Sequence, residues 1–372
     1  MEEDKVPFEL EDKKVKQMLR KARWKAIVKY SGIALAVMLI GIILISTILT
    51  RMISNYAEEV LADMRKKENE IINTLTSEYE LGHPNTEYDI NINNYQPKDF
   101  WARMDSLGIG AREVLLERFW EKREVVAISY KVIEGILIPW KEEMYQYSES
   151  QKAYFPKVSH SIKYGEDATT FQLDKDKSTV YSLETKQREM QFYHHDKQYD
   201  MYPNDLERIS KYENKVMEVA LSFDKSYLLE EVKKMLPADV TQVWYWVDTP
   251  LDSMQYYDNP PIYPIWDKYV MGFDVTKTEE GFIEEIRIAK GKKKAKGDGS
   301  LRAFHNMAGV DDFRHYAEDV YDELSRGKVE PGKEDIRIIG AVVTGDEKRL
   351  QSLQGLPFVK AISLGAVADK NQ

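Results

Sequence analysis

The sequence predicts an α+β protein in which an N-terminal helix and a single transmembrane helix precede mixed α/β domains. We expect the C-terminal domain to be a ferredoxin-like or related α+β sandwich. Two observations indicate this class: residues 30–50 form one uncharged apolar segment, and strand patterns alternate with capped helices after residue 215. The chain has 372 residues, of which 43% are hydrophobic, so it can form two or three folded domains.

The composition excludes several classes of site. Cysteine is absent, which rules out disulfides, thiol nucleophiles, iron–sulfur clusters and cysteine-based zinc sites. The formal net charge of −10 argues against a nucleic-acid-binding surface, so we expect no direct contact with nucleic acid. We find no phosphate-binding loop, dinucleotide fingerprint or serine-hydrolase elbow in the sequence. We therefore predict that the protein is not an enzyme and carries no cofactor.

Residues 30–50 are predicted to be an uncleaved transmembrane helix. These 21 positions carry no charge, and an α-helix of that length spans roughly 30 Å, the thickness of a bilayer core. Residues 13–29 hold eight Lys or Arg and no acid, whereas residues 51–70 hold four basic residues and five acids. Because basic residues accumulate on the cytoplasmic side, we predict a single-pass cell-membrane protein with a cytoplasmic N-terminus and an extracytoplasmic C-terminal domain.

The predicted cytoplasmic tail, residues 1–29, has the pattern of a basic amphipathic helix. Its apolar residues recur every three or four positions, which places them on one helical face. Two interpretations remain open: the basic residues contact anionic lipid, or the apolar stripe docks in a groove of a partner protein. The acidic start of the tail, residues 2–12, is not typical of a simple lipid-binding segment. The candidate partner-binding residues are Val15, Met18, Leu19 and Ala22.

The segment after the span is predicted to be a polar stalk helix over residues 51–82, ended by Gly82 and Pro84. Residues 85–212 form a mixed middle region. A strand is predicted where apolar residues alternate over 88–92, and another over 125–132 that ends near Gly135 and Pro139. Long loops are expected between residues 141 and 205.

The C-terminal region, residues 215–372, carries the clearest pattern. We predict that Asp224 caps a helix after the first strand and that Asp311 caps a longer helix. The predicted order of strands and helices is βαβ, an insert, then αβαβ, for which ferredoxin-like wiring is the nearest simple pattern. The predicted strands are residues 217–223, 240–247, a hairpin of 273–275 and 282–288, then 336–343 and 358–367.

Several of these segments resemble a known family. Four segments resemble the C-terminal domain of the bacterial sigma-factor regulators. They are LSFDKSYLLEEVKKMLP at residues 221–237, VWYWVD at 243–248, GAVVTG at 340–345 and LPFVKAISLGAV at 356–367. The basic tail, single span and polar continuation are similar to the family's N-terminal module. The resemblance covers residues 215–372 well and residues 10–60 loosely.

The resemblance implies a membrane-anchored anti-sigma factor. Such a protein holds an extracytoplasmic-function sigma factor at the membrane through its cytoplasmic tail and releases it on an envelope signal. Because a tail of about 30 residues is shorter than a folded domain, a second membrane protein is a further expected partner beside membrane lipid. The alternative function is a membrane-anchored extracytoplasmic binding protein for cell-wall, glycan or lipid components.

Two further groups of residues are candidate sites. An aromatic set in the C-terminal region is either core or an exposed recognition surface; its members are Trp244, Trp246, Tyr263 and Trp266. His194 and His195, beside Asp196 and Asp200, are candidate metal ligands. Because adjacent side chains on a strand point to opposite faces, we predict that the two histidines hold no metal.

Overall fold

A computed structural model describes residues 8–95, 122–148, 153–156, 171–173, 180–182, 185–249, 265–266, 270–291 and 310–370. The chain divides into two compact units, and each is described by itself. The first unit comprises residues 1–63 and 96–121, and the second comprises residues 64–95 and 122–372.

The described part of the first unit is helical. Helix α1, Phe8–Gly82, begins in this unit and ends in the second. Its portion Lys13–Met52 contains a stretch long and apolar enough to cross a membrane, and none of that stretch is buried. Apolar side chains that face outward all round a helix are typical of a lipid-facing segment rather than of a soluble core. The finding fits a single-pass membrane protein.

The second unit begins with an antiparallel sheet of four strands in the order β1-β2-β3-β4. Its strands are β1 (Thr86–Tyr95), β2 (Lys122–Ile133), β3 (Ile136–Ser148) and β4 (Ala153–Pro156). The end of α1 packs on this sheet through Ile71, Leu75 and Tyr79, which contact Val125 and Ala127. One face of residues 64–82, which were predicted to be stalk, is therefore part of the core of this unit.

The turn between β2 and β3 confirms one predicted boundary and corrects another. Glu134 and Gly135 have φ values of +50° and +83°, the left-handed conformation that a tight turn requires. Pro139 does not end a strand, because it lies within β3, opposite Tyr130, where the register shifts. Proline is tolerated at such an irregularity since no regular ladder hydrogen bond is lost there.

Short strands connect the two larger sheets along the chain. β5 (Phe171–Leu173) pairs with β6 (Val180–Ser182), and β7 (Gln191–Phe192) is followed by helix α2 (Leu206–Ile209).

The C-terminal sheet has five antiparallel strands. Along the chain, β8 (Lys215–Tyr227), helix α3 (Leu229–Met235) and β9 (Thr241–Val247) come first. β10 (Ile265–Trp266), which pairs with β7, and β11 (Gly272–Asp274) follow, and then helices α4 (Glu279–Ala289) and α5 (Val310–Ser325). β12 (Ile338–Asp346), helix α6 (Glu347–Leu350) and β13 (Val359–Asp369) complete the chain. The strand order is β11-β9-β12-β8-β13, which confirms an α+β class.

Both faces of this sheet are covered. The larger cluster joins one face to helices α3, α4 and α5 through residues such as Phe223, Tyr245 and Phe282. The other face carries Trp244 and Trp246, which pack with Met190, Phe192, Val270 and Ile339. Residues before β8 therefore complete the core of the C-terminal sheet, and a fragment starting at residue 215 would expose the tryptophan face.

Three local predictions about helices and strands are wrong. The first is the Asp311 cap, because Asp311 lies inside α5, which begins at Val310. Residues 282–288 form part of helix α4, not a strand, because Phe282, Ile286 and Ala289 have helical spacing and are all buried. The side chain of Thr278 caps α4 by accepting a hydrogen bond from the Gly281 amide, at 3.2 Å.

Asp224 does not cap α3. Strand β8 continues to Tyr227, and the Asp224 carboxylate accepts the Tyr227 hydroxyl at 2.7 Å. At the start of α3, the Glu231 carboxylate instead accepts the amide of Leu228.

Gly340 in the central strand β12 explains part of the GAVVTG segment. A Cβ at this position would lie 2.5 Å from the Leu221 carbonyl oxygen and 2.8 Å from the Trp246 ring. No side chain fits without moving backbone, so glycine allows the strands and the tryptophan to approach this closely.

Acid should weaken the contact between the β2–β3 turn and the C-terminal sheet. Burial alone would raise the pKa of Glu134, but hydrogen bonds from Arg349 and Thr344 outweigh it and hold the pKa below the usual 4.5. A lowered pKa stabilises the fold above pH 4.5, and this stabilisation is lost as the pH falls through the folded-state value.

We expect Glu134→Gln to cost about 1 kcal/mol or less at neutral pH, because the Arg349 pair is partly exposed. The variant should lose less stability than the natural chain on acidification. Thermal unfolding of the intact chain in detergent, at about pH 7 and about pH 3.5, measures the difference. An equal loss in both proteins would contradict the role of Glu134.

Candidate functional site

The predicted partner-binding residues lie on the exposed surface of α1. Val15, Met18 and Leu19 are 51%, 71% and 54% exposed, and Ala22 is exposed as well. At 100° per residue, these four side chains fall within an arc of roughly 100° on one side of the helix. They form an apolar stripe, which we call the tail stripe.

Basic residues border the tail stripe. On the helical wheel, Arg23 and Lys25 lie about 80° to either side of Val15, and Lys21 lies farther round on the polar side. Such a surface can place an apolar ridge in a groove while its edges attract an acidic rim or anionic lipid.

Sequence reasoning missed the aromatic residues near the start of the span. Trp24 is 68% exposed and Tyr30 is 69% exposed. Tryptophan and tyrosine concentrate where a helix enters a membrane, because the ring is apolar and its N–H or O–H can contact water or headgroups. Their position, Trp24 shortly before the apolar segment and Tyr30 at its first residue, could have identified them as interfacial anchors.

The candidate aromatic recognition surface is not formed by Trp244 or Trp246. Trp244 and Trp246 are 3% and 1% exposed, and both rings pack edge-on against Phe192. They belong to the core, which was the other interpretation of this set. Tyr263 and the side chain of Trp266 lie outside the described residues. An exposed recognition surface therefore has no support from Trp244 or Trp246.

A second candidate site joins His194, His195 and Asp248. The two histidines follow β7 in a turn, and Asp248 follows the end of β9. Their imidazole rings stack with centroids 4.8 Å apart, and one carboxylate faces both of them. The Nε2 atoms of His194 and His195 each lie 3.3 Å from an oxygen of Asp248.

The expectation that these histidines point to opposite faces is wrong. Strand β7 ends at Phe192, so the alternation of a strand does not extend to residues 194 and 195. The Asp196 amide turns back to donate to Nδ1 of His194 at 3.2 Å, and the Lys197 amide donates to the His194 carbonyl. This turn places both rings on one side of the chain.

The contacts in the cluster shift the pKa values of His195 and Asp248 in opposite directions. The hydrogen bond to Asp248 raises the pKa of His195 above its usual value, although burial opposes the shift. Burial alone would raise the pKa of Asp248, but its contacts with His194 and His195 outweigh burial and lower it. Asp196 adds a second carboxylate, whose oxygen lies 2.9 Å from Nδ1 of His195.

The cluster opens into a cleft with a volume of about 320 Å³. Both signs of charge line this cleft, so it suits a small polar ligand or ion better than an apolar one. Its walls include His194, Lys197, Asp248, Thr249, Arg326 and Arg337.

Comparison with known families adds an independent finding. The family model described as sigma factor regulator N-terminal matches residues 16–100, and the one described as sigma factor regulator C-terminal matches residues 206–366. The first match includes Met18, Leu19 and Ala22, and the second begins at α2 and ends within β13. Neither a curated protein nor a solved structure matches the chain.

Proposed function

Because the chain belongs to the sigma factor regulator family and therefore has an anti-sigma role, we propose how it exerts that role. It binds an extracytoplasmic-function sigma factor through the tail stripe and holds it at the membrane. An envelope signal received by the second unit releases the sigma factor. The protein is a regulatory interaction protein and not an enzyme.

The exposed tail stripe is the observation that carries this proposal. Val15, Met18 and Leu19 are apolar, lie on one helical arc and are each more than half exposed. The segment around them is strongly basic. Burying such a stripe in a partner's groove gains about 25 cal/mol for each Å² of apolar surface removed from water. A sigma factor that offers an apolar groove with an acidic rim would match both features.

The alternative of an anchored binding protein for cell-wall, glycan or lipid components is weaker. An exposed aromatic surface would support it, but Trp244 and Trp246, two of the four candidate residues of that surface, are buried.

Purification of the intact chain from detergent-solubilised membranes tests the proposed partner. We expect a sigma factor to co-purify with the natural chain and to be lost when Val15, Met18 and Leu19 are all changed to serine. This triple variant keeps every basic residue of the tail, so its orientation and its attraction to lipid should be unchanged. Equal recovery of the sigma factor with both proteins would contradict binding through the tail stripe.

The proposed orientation makes a separate prediction. Eight basic residues precede the apolar segment within 17 positions, whereas four follow it within 20, and this bias favours a cytoplasmic N-terminus. Protease added to intact cells without a cell wall should digest the second unit and leave a tag at residue 1 intact. A protected second unit would contradict the orientation and the anti-sigma mechanism together.

A further inference from the structure

We propose that His194, His195 and Asp248 bind a divalent transition-metal ion, for which zinc is the best match. Two imidazole nitrogens and one carboxylate oxygen are a ligand set that suits zinc and other borderline metals. The proposal concerns the second unit alone and is independent of how the tail binds its partner.

The spacing of the three side chains fits one ion. The candidate ligand atoms all lie within 4.8 Å of one another, and each Nε2 is 3.3 Å from an oxygen of Asp248. Two ligand atoms about 2.1 Å from a tetrahedral zinc ion are about 3.4 Å apart. The cluster therefore needs only small side-chain movements to surround a metal.

His194 supplies the second, independent observation. His194 is 4% exposed, and its Nε2 has no hydrogen-bond partner among the described residues, since its contact with Asp248 lacks hydrogen-bond geometry. Buried polar atoms are rarely left in this state, because an unsatisfied group costs folding free energy. A metal ion between His194 and Asp248 would satisfy this nitrogen.

The neighbouring groups orient the candidate ligands. Asp196 contacts Nδ1 of His195, an arrangement in which a carboxylate fixes the ring and directs Nε2 toward a metal. The Asp248 amide donates to the Arg337 carbonyl at 2.8 Å, and the His194 amide donates to the Tyr199 hydroxyl at 3.2 Å. Hydrogen bonds from their own backbone amides therefore hold both Asp248 and His194 in place.

Metal entry requires one local adjustment. Each histidine must present an unprotonated Nε2, so its remaining ring proton must lie on Nδ1. Nδ1 of His194 now accepts the Asp196 amide, and that hydrogen bond must be given up when the proton moves there. Asp196 lies in an exposed turn, where the released amide can bond to water. The cleft, which His194 and Asp248 line, provides the entry path, and a water molecule from it would supply the fourth ligand.

Zinc binding to the purified full-length chain, without a polyhistidine tag and after treatment with a chelator, tests the proposal. We expect one zinc ion per chain by equilibrium dialysis. His195→Gln and Asp248→Asn should each weaken binding by about 100-fold, and Asp196→Asn by about 10-fold. The matched control is His315→Gln, because His315 is exposed on α5 and lies outside the cluster; it should leave binding unchanged.

Two results would overturn the site. One is zinc binding by His195→Gln and Asp248→Asn that equals that of the natural chain; the other is the absence of stoichiometric zinc in the natural chain. Co²⁺ bound to the natural chain gives a readout that does not depend on a variant's folding. A tetrahedral ligand-field spectrum, displaced by zinc, supports the site, and the spectrum of hydrated Co²⁺ alone contradicts it. No sigma factor is needed, so the result is separate from the test of tail binding.

Discussion

Leu19→Asp should release the sigma factor and switch on its regulon while the protein remains in the membrane at its normal level. Leu19 lies on the tail stripe, with Val15 and Ala22 about one turn to either side. If the stripe is buried in a groove, the change removes about 1.5–3 kcal/mol of apolar burial and adds about 1–3 kcal/mol for a desolvated carboxylate. A loss of about 3 kcal/mol weakens binding more than 100-fold.

Lys21→Ala is the matched control for this prediction. Lys21 lies on the polar side of the same helix, two residues away, and an exposed charge pair is worth only about 0–1 kcal/mol. We expect little change in expression from the sigma-dependent promoter with this variant. Reporter expression and membrane abundance are measured together, so that loss of protein is not mistaken for loss of binding.

The lipid-contact interpretation predicts a different ranking. If the tail only touches anionic lipid, basic residues contribute additively and neither variant changes transcription. A silent reporter with Leu19→Asp at normal abundance would show that the tail stripe does not hold the sigma factor. Repression would then have to act through a second membrane protein.

Glu218→Ala should destabilise the second unit by about 3–5 kcal/mol. Glu218 lies on β8 and is fully buried, and its carboxylate accepts hydrogen bonds from the Asn85 side chain at 2.9 Å and the Ala366 amide at 3.1 Å. The ammonium group of Lys131, which is 1% exposed, lies 3.8 Å from the same carboxylate. The variant removes that carboxylate from a buried cation and leaves buried donors without their acceptor.

A double variant distinguishes loss of the ion pair from loss of packing. Lys131 donates to the Pro84 carbonyl at 2.7 Å and lies 5.0 Å from the centroid of the Trp140 ring, so Lys131→Met keeps much of its apolar contact. Combined with Glu218→Ala, it should cost less than the sum of the two single changes, because no buried charge is left. Unfolding of the intact chain in detergent, followed by tryptophan fluorescence, measures the free energy of unfolding of the two single variants and the double variant. Strict additivity would show that the two charges do not stabilise each other.

Much of the C-terminal sheet could be predicted from local pattern. Strand β12 is buried along nearly its whole length and is apolar in sequence, as expected of a central strand. Residues 282–288 are ambiguous in sequence because their apolar residues suit a strand as well as a helix; these are Phe282, Ile283, Ile286 and Ile288. The Thr278 cap and the burial of Ile286 and Ala289 decide for the helix.

The sequence by itself determined the apolar segment, its basic flank, the tail stripe and the family. Each of these depends on residue type or on spacing within a few turns of one helix, and neighbouring residues alone set it. Only the tertiary structure decided where Trp246 is buried and which groups meet Glu218 and Asp248. Asn85 and Glu218 are 133 positions apart, and His195 and Asp248 are 53 apart. Such contacts form because strands and turns distant in sequence pack on one sheet, and no local periodicity records that packing.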